Sequence, residues 1–562
     1  MKHNKRRHWI RNYHLFSILL FGISCWFLNQ FFFQLFVEST TLSKEHPLAK
    51  LIQLIYFILT FLIWFFVSLF VLQTTHYKRK TKCCYWMDYY HFKKPYIEML
   101  SFFSNNDPYQ LPIDALPNIS WNQADGIILC QTTDQDGKKR LLHRNSDSNG
   151  NLVSFGLPGS GKTTTQAATT AIRFNANVKK GGCGVFAISI KGDLLNFVKD
   201  KRTNIKLFTP DQVAGSCHYD PLNGVDSMNQ TERRSFLENM SIIICPDELG
   251  DNSAFFVSGA RDYFCGIVHY LLYLRDTGKK AEPLKFPEIV DTILSGNVFD
   301  ITLTIKHSGC QIAGEYTNSY EGSSEKNVSG IYNHLCKAVR PFNSGALRTL
   351  FDGNRNCITP DDLTTGDIYI DVPQDKYQIY APAMAIIITN FLMAFMQRAD
   401  VSSNQQTLPI LFLLDEAVQL NLDFQLLSQA MSTLRSKKVS LFLLMQSVAQ
   451  LEGRYGEAHA REIIDLCAYI SVFNAQDPKS REFFQKLIGR RKMLKKTAAL
   501  SSSTDRATTS NSVTEIEEFI FESADFGNLD FYDKKKKQTI HRVLVYANGK
   551  YILGETTPCY QS

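Results

Sequence analysis

From about residue 150 to residue 475 the chain repeats one pattern. A short run of apolar residues ends at a polar turn, and a longer stretch with apolar positions three and four apart follows. Residues 152–155, 184–190, 205–208, 367–372, 409–414, 439–445 and 466–473 read as buried strands, and 164–173, 381–398 and 426–435 as helices. Short apolar strands alternating with helices predict an α/β fold on a parallel sheet, because only crossovers of this kind bring consecutive strands side by side in the same direction. The pattern breaks between 231 and 344, where helical periods such as 254–274 and 324–339 run without strand signals and predict an all-α domain inserted into the α/β one. Residues 121–144 alternate enough for short strands. Residues 495–512 are rich in Ser, Thr and Lys and predict a flexible segment, and 538–546 with 550–554 flank Asn548-Gly549, a strong hairpin signal.

Two stretches near the start, 15–37 and 51–72, are apolar enough and long enough to cross a membrane at about 1.5 Å per residue. Lys2, Lys5, Arg6 and Arg7 precede the first, and Lys78, Arg79, Lys80 and Lys82 follow the second, while the loop 38–50 is mixed in charge. The positive-inside rule then predicts a helical hairpin anchor with both ends cytoplasmic. The first stretch is too long for a signal peptide, and no small-residue cleavage site follows it. The expected division is 1–76 as this anchor, 77–230 as a lead-in and the first part of the α/β domain, 231–344 as the helical insertion, 345–494 as the second part, 495–515 as flexible chain and 516–562 as a β-hairpin segment. Composition narrows this little: 562 residues with a net charge of +7 are compatible with an anionic partner without demanding one. The 13 cysteines include no C-x-x-C pair, and no histidines cluster with them, so neither a zinc site nor a disulfide framework is indicated.

The chemistry lies in the turn after the first strand. Gly156-Leu157-Pro158-Gly159-Ser160-Gly161-Lys162-Thr163-Thr164 holds the spacing G-x-x-x-x-G-K-[ST] between a strand and a helix, the setting that motif requires. Glycines let backbone N–H groups turn inward around a phosphate chain, and the helix points its positive end at the same place. Lys162 is expected to bridge the β- and γ-phosphates of ATP, and the Thr163 hydroxyl to ligate Mg²⁺. A second strand, 410–414, ends in Asp415-Glu416: Asp415 fits the metal role and Glu416 the residue that polarises the attacking water, unless both only cap the next helix. Gln446, after strand 439–445, stands where a γ-phosphate sensor would sit, or is a plain strand-end amide. Arg435 can be an arginine finger for a neighbouring subunit or a solvated basic helix end, with Arg348 and Arg340 as rivals.

Taken together these residues resemble a known family. The two N-terminal spans, the phosphate loop, Lys191-Gly192-Asp193, Tyr219-Asp-Pro-Leu-Asn223, Phe255-Phe256 with Ala260-Arg261-Asp262, Leu414-Asp-Glu-Ala417 and Met445-Gln-Ser447 with Gln450-Leu451 are similar to the conjugative coupling proteins of the TraG/TraD type, over most of residues 1–490. The resemblance implies a RecA-like motor domain with an inserted all-α domain and a homo-hexameric ring on the bacterial inner membrane. It also implies ATP-driven delivery of relaxase-bound DNA, without sequence specificity, to the components of a type IV secretion channel. Ser189-Ile190 stand before Lys191-Gly192-Asp193 where the family commonly has Asp-Pro before Lys-Gly-Glu, so the resemblance gives that loop no catalytic role. Two readings of other kinds compete: an FtsK/HerA-like DNA translocase, and a membrane receptor that docks secreted proteins without catalysis. The short anchor and the helical insertion weigh against the first. The complete set Lys162, Thr163, Asp415 and Glu416 weighs against the second.

Overall fold

In the computed structural model the described residues are 109–560, with short internal gaps, and the isolated positions Gln30, Gln34, Ile55, Ile58 and Leu62, all helical. The rest of the expected anchor lies outside the described residues. The chain divides into two units, Met1–Pro108 and Tyr109–Ser562, and all that follows concerns the second.

The strands, in chain order, are β1 Ile127–Thr133, β2 Lys139–Arg144, β3 Asn151–Phe155, β4 Val185–Ile190, β5 Ile205–Phe208, β6 Asp367–Val372, β7 Ile410–Leu414, β8 Val439–Met445, β9 Cys467–Val472, β10 Arg490–Ser503, β11 Arg506–Phe519, β12 Phe531–Asp533, β13 Gln538–Ile540, β14 Arg542–Ala547 and β15 Lys550–Glu555. Eleven of them form one sheet in the order β2-β1-β15-β14-β9-β3-β8-β7-β4-β6-β5. From β9 to β5 the neighbours run parallel, and from β9 outward through β14, β15, β1 and β2 they run antiparallel. In β3, β4, β7 and β8 every residue is buried, as expected for strands covered on both faces. Successive side chains enter different cores: Val153, Phe412 and Leu414 join one, Leu152, Leu411 and Leu413 the other.

The expected strands 205–208, 367–372 and 439–445 keep those bounds. The helix expected over 381–398 instead runs Tyr377–Met396, with Pro382 inside it. It begins early because Tyr377 and Ala381 are buried in the core, and tertiary packing outweighs the preference for proline at a helix start. Between β5 and β6 lie the expected helices, among them Gln230–Ile244, Ala254–Asp276, Phe286–Ser295 and Glu325–Val339. They do not close a core of their own. Phe351 brings the layers together, with ring centroids 6.1 Å from Phe208 of the edge strand β5, 5.5 Å from Tyr219 and 5.1 Å from Phe342.

Two expected segments come out differently. Residues 495–515, read as flexible, fall in β10 and β11, which pair antiparallel from Arg490↔Phe519 to Ser503↔Arg506. Polar composition misled that reading, because Thr508, Thr509, Val513, Thr514 and Ile516 are β-branched and favour extended backbone. The hairpin β14–β15 turns through Asn548 (φ 50°) and Gly549 (φ 76°), as the sequence predicts. It is no appended segment, however: β14 pairs with β9 and β15 with β1, so residues 516–562 help to build the main sheet.

A fully buried ion pair fixes the parallel half. Arg202 Nε and Nη2 each donate to Asp367 at 2.7 Å, and Val185 N donates to the same carboxylate at 2.9 Å, joining β4 to β6. Asp367→Ala strands the guanidinium in the core and is expected to cost about 3–5 kcal/mol. Asp291→Ala, which breaks the half-exposed pair with Arg348, is expected to cost less than about 1 kcal/mol. Denaturant unfolding of the two variants should separate them in that order, and equal midpoints would refute the assignment.

Candidate nucleotide site

Three strand ends meet at the carboxyl edge of the sheet, where ligands of parallel α/β folds bind. The loop after β3 is held on both sides: Gly156 N donates to the Met445 carbonyl at the end of β8 (3.2 Å), and Leu157 N to the Asn474 carbonyl just past β9 (3.1 Å). Gly159 (φ 80°) and Gly161 (φ 92°) take the left-handed conformation that turns successive N–H groups to one side. Gly156 is required for another reason, since a Cβ there would stand 2.6 Å from the Phe473 Cβ. Pro158 and Gly159 are exposed at the tip, Thr163 and Thr164 are half-buried, and the Ser160 hydroxyl is buried without a partner.

Lys162 is 6 % exposed and curls back into the loop, where its ammonium donates to the Gly156 carbonyl and, at 3.2 Å, to the Leu157 carbonyl. Residues 162–167 form a wide π-type turn that leads into the helix Ala168–Arg173. A cradle of glycines, an orphaned hydroxyl and a lysine folded into the hollow fit a chain of phosphates. Thr163 and Asp415 fit Mg²⁺. Among the described residues no three His, Cys, Asp or Glu gather into a protein cage. Two oxygens, Thr163 Oγ1 and an Asp415 carboxylate oxygen, would suit a small cation that keeps its waters and binds through one or two protein oxygens plus phosphates.

Asp415, 8 % exposed, follows β7 directly. Glu416 takes a left-handed backbone conformation (φ 49°), strained for a residue with a Cβ. It makes no side-chain cap for the 3₁₀ turn Ala417–Leu420, and the helix Phe424–Thr433 is capped by Asp423 instead. The capping alternative for Glu416 therefore falls away. Its carboxylate accepts a hydrogen bond from Gln446 Nε2 at 2.9 Å, and Gln450 Nε2 donates to Gln446 Oε1 at 3.2 Å. Gln446 is thus more than a strand-end amide: it stands between the phosphate loop and the acid and orients the acid.

Tyr377 was not legible as a site residue. Its hydroxyl is buried without a partner, and burial, then the charges of Glu416 and Asp415, push its phenol up. Nothing in its local sequence links it to Asp415 and Glu416, which lie far along the chain. Arg435 sits elsewhere. It is exposed in the 3₁₀ turn Leu434–Lys437; the carbonyl of Lys438, just after that turn, accepts from Ile410 N at the start of β7, which places the turn at the opposite sheet edge. Arg348 is engaged bidentately with Asp291 at 2.6 and 2.8 Å, and Arg340 is exposed at the end of the helix Glu325–Val339. No arginine among these three reaches the chain's own phosphate loop. Lys191 lies outside the described residues.

A phosphate loop after one strand and an acidic pair two strands away define a P-loop α/β protein. Within that class the chain belongs to the family described as Type IV secretory system Conjugative DNA transfer, whose model matches residues 113–550. Among curated relatives, the Type IV secretion system-coupling protein VirD4 of Bartonella quintana is 23% identical over 257 residues, covering 45% of this chain and 39% of the relative. The VirD4 of Bartonella henselae is 21% identical over 358 residues, covering 62% and 54%. The chain therefore matches about half or less of these relatives' length. Among solved structures, the plasmid coupling protein TrwB in complex with a non-hydrolysable ATP analogue has a TM-score of 0.55 at 14% identity, over 73% of this chain and 85% of that one. TrwB with ADP and Mg²⁺ has a TM-score of 0.53 at 14% identity, over 73% and 84%.

The loop geometry ranks its glycines. Gly156→Ala must displace Phe473, whereas a Cβ at Gly159 meets nothing within 4 Å and costs only its backbone conformation, about 1–2 kcal/mol. Equilibrium titration with a non-hydrolysable ATP analogue should show the weaker binding in Gly156→Ala. The reverse order would mean that the loop is set differently.

Proposed function

We propose that the protein is a membrane-anchored ATPase of conjugation or type IV secretion, which takes up relaxase-bound DNA or a protein substrate and drives it to the secretion channel. The observation that carries the motor part is the Gln446–Glu416 hydrogen bond beside the phosphate loop. A receptor that only docked cargo would have no use for a strained acid held by a strand-tip amide. Family membership and the nucleotide complexes of TrwB support ATP as the substrate and Mg²⁺ as its cofactor. The family description supports DNA as the cargo.

When bound, Mg²⁺ supplies positive charge against the phosphates of ATP. The chain's residues do the rest. Backbone N–H groups of the loop hold the phosphates, Lys162 leaves its two carbonyl partners to meet the β- and γ-phosphates, and Thr163 and Asp415 hold the metal. Glu416 accepts a proton from the attacking water, and Gln446, already bonded to it, senses whether the γ-phosphate is present. Arg435, exposed and away from its own phosphate loop, would serve the nucleotide of a neighbouring copy in a homo-hexameric ring. Nucleic acid would bind by phosphate contacts without sequence preference. The FtsK/HerA-like alternative shares this motor and differs in cargo.

The test is an ATPase assay on single and mixed variants. Lys162→Ala should lose nucleotide affinity, whereas Glu416→Gln should bind normally and turn over on the order of 10²-fold more slowly or worse. Lys162→Ala and Arg435→Ala subunits should be inactive apart and regain activity when mixed, since some intact loops then face an intact arginine. Parental turnover by Glu416→Gln would refute the water-activating role, and co-assembly without recovery would remove Arg435.

The inner-membrane placement rests on the spans 15–37 and 51–72 and their flanking charges. A reporter active only outside the cytoplasm should work within 38–50 and fail at residue 1 or after Lys82. Activity at either end would overturn the topology.

A further inference from the structure

We infer that the C-terminal strand pair supplies the nucleoside side of the site, with His541 as the contact to ribose and base; this rests on the nucleotide reading above. The sheet order dictates which end of the nucleotide points where. β7, carrying Asp415 and Glu416, lies beyond β8 on one side of β3, and β9 and β14 lie on the other. Metal and terminal phosphate are drawn toward the carboxylates, so the nucleoside leaves the loop on the β9–β14 side. β14 runs antiparallel to β9, which brings its first residue, and His541 just before it, to the same sheet edge as the loop.

The contacts there are direct. A Cβ on Gly161 would lie 3.0 Å from both Cγ and Cδ2 of His541, so the imidazole packs on the loop backbone itself. Asp530 Oδ2 is 3.0 Å from His541 Nδ1, and its other oxygen accepts from Arg542 N at 3.2 Å. Asp530 is positioned in turn by Asn474, whose side-chain oxygen accepts from Leu529 N (2.8 Å) and Asp530 N (3.2 Å) while its carbonyl holds Leu157 of the loop. The chain then returns after β15: Thr556 N donates to the His541 carbonyl at 2.9 Å, and Cys559 N to the Thr164 carbonyl at 3.0 Å.

This arrangement aims the ring. The carboxylate engages Nδ1 and so leaves Nε2 as the ring nitrogen available to a ligand. Nε2 has no hydrogen-bond partner among the described residues, and the side chain is 20 % exposed. A ring braced at one nitrogen and open at the other, beside Gly161, suits a ribose hydroxyl, which can donate or accept, or a polar edge of the base. It offers nothing further to the phosphates, which the loop already surrounds.

Calorimetric titration of the full chain in detergent, with a non-hydrolysable ATP analogue and separately with inorganic tripolyphosphate, tests this. His541→Ala should weaken the nucleotide about tenfold, the worth of one good hydrogen bond, and leave tripolyphosphate unchanged. Asp530→Asn should reproduce part of that loss, because the ring is no longer held. Lys162→Ala should weaken both ligands. Equal losses for both ligands in His541→Ala would make the histidine a brace of the loop and overturn the inference, as would no loss at all. If Lys162→Ala changed neither affinity, the phosphate-loop reading itself would fail. Should His541→Ala not fold, His541→Phe keeps the ring packing without the nitrogen, and retained nucleotide affinity there would also overturn it.

Discussion

The buried amide of Gln166 fastens the site to the sheet. It lies fully buried in the turn after the phosphate loop, accepts from the Ser154 hydroxyl of β3, and donates to the Leu129 carbonyl of β1 (3.0 Å) and the Ser471 hydroxyl of β9 (2.9 Å). Both of its donors are used. Leaving such a group unsatisfied in the interior costs about 1–3 kcal/mol, so the amide is tolerated only where all three strands converge. Lys162 and Thr163 lie about one turn ahead on the same backbone, and their placement inherits that precision.

The antiparallel strands are for this reason part of the site and no mere extension of the sheet. On their side of β3, β1 reaches Gln166, Asn474 just past β9 holds Leu157, and His541 before β14 rests on Gly161. The parallel strands supply the opposite wall, with Met445 holding Gly156 and β7 presenting Asp415 and Glu416. The phosphate loop is clamped between two sheet halves of different origin in the chain. Backbone strain at Glu416 is sustained by this over-determined setting, because the side chain is bonded to Gln446 and Gln446 to Gln450.

The residues that carry the family resemblance divide between chemistry and scaffold. Lys162, Asp415, Glu416 and Gln446 converge at the sheet edge. Tyr219 instead donates its N–H to the Leu350 carbonyl (2.7 Å) and accepts from Asn390 Nδ2 (2.9 Å), where the helical insertion joins the sheet. Arg261 holds the Cys245 carbonyl at 2.8 Å, and Asp262 accepts from the Tyr320 hydroxyl at 2.6 Å, both within the insertion.

The sequence by itself determined what depends on local chemistry. Fully apolar runs such as 410–414 read as central strands, G-x-x-x-x-G-K-[ST] between a strand and a helix reads as a phosphate cradle, and Asn548-Gly549 supplies the two positive φ angles its hairpin turn needs. The partners of those elements were decided by the tertiary structure. That β14 joins β9, that the insertion shares the core of the α/β domain through Phe351, and that Glu416 meets Gln446 across 30 residues follow from surfaces brought together by the whole fold. Strand pairing carries no label in a single sequence, since backbone hydrogen bonds are alike for every strand. The companions of His541 and Tyr377 were invisible for the same reason: what gives each ring its surroundings is a set of residues far away in the chain.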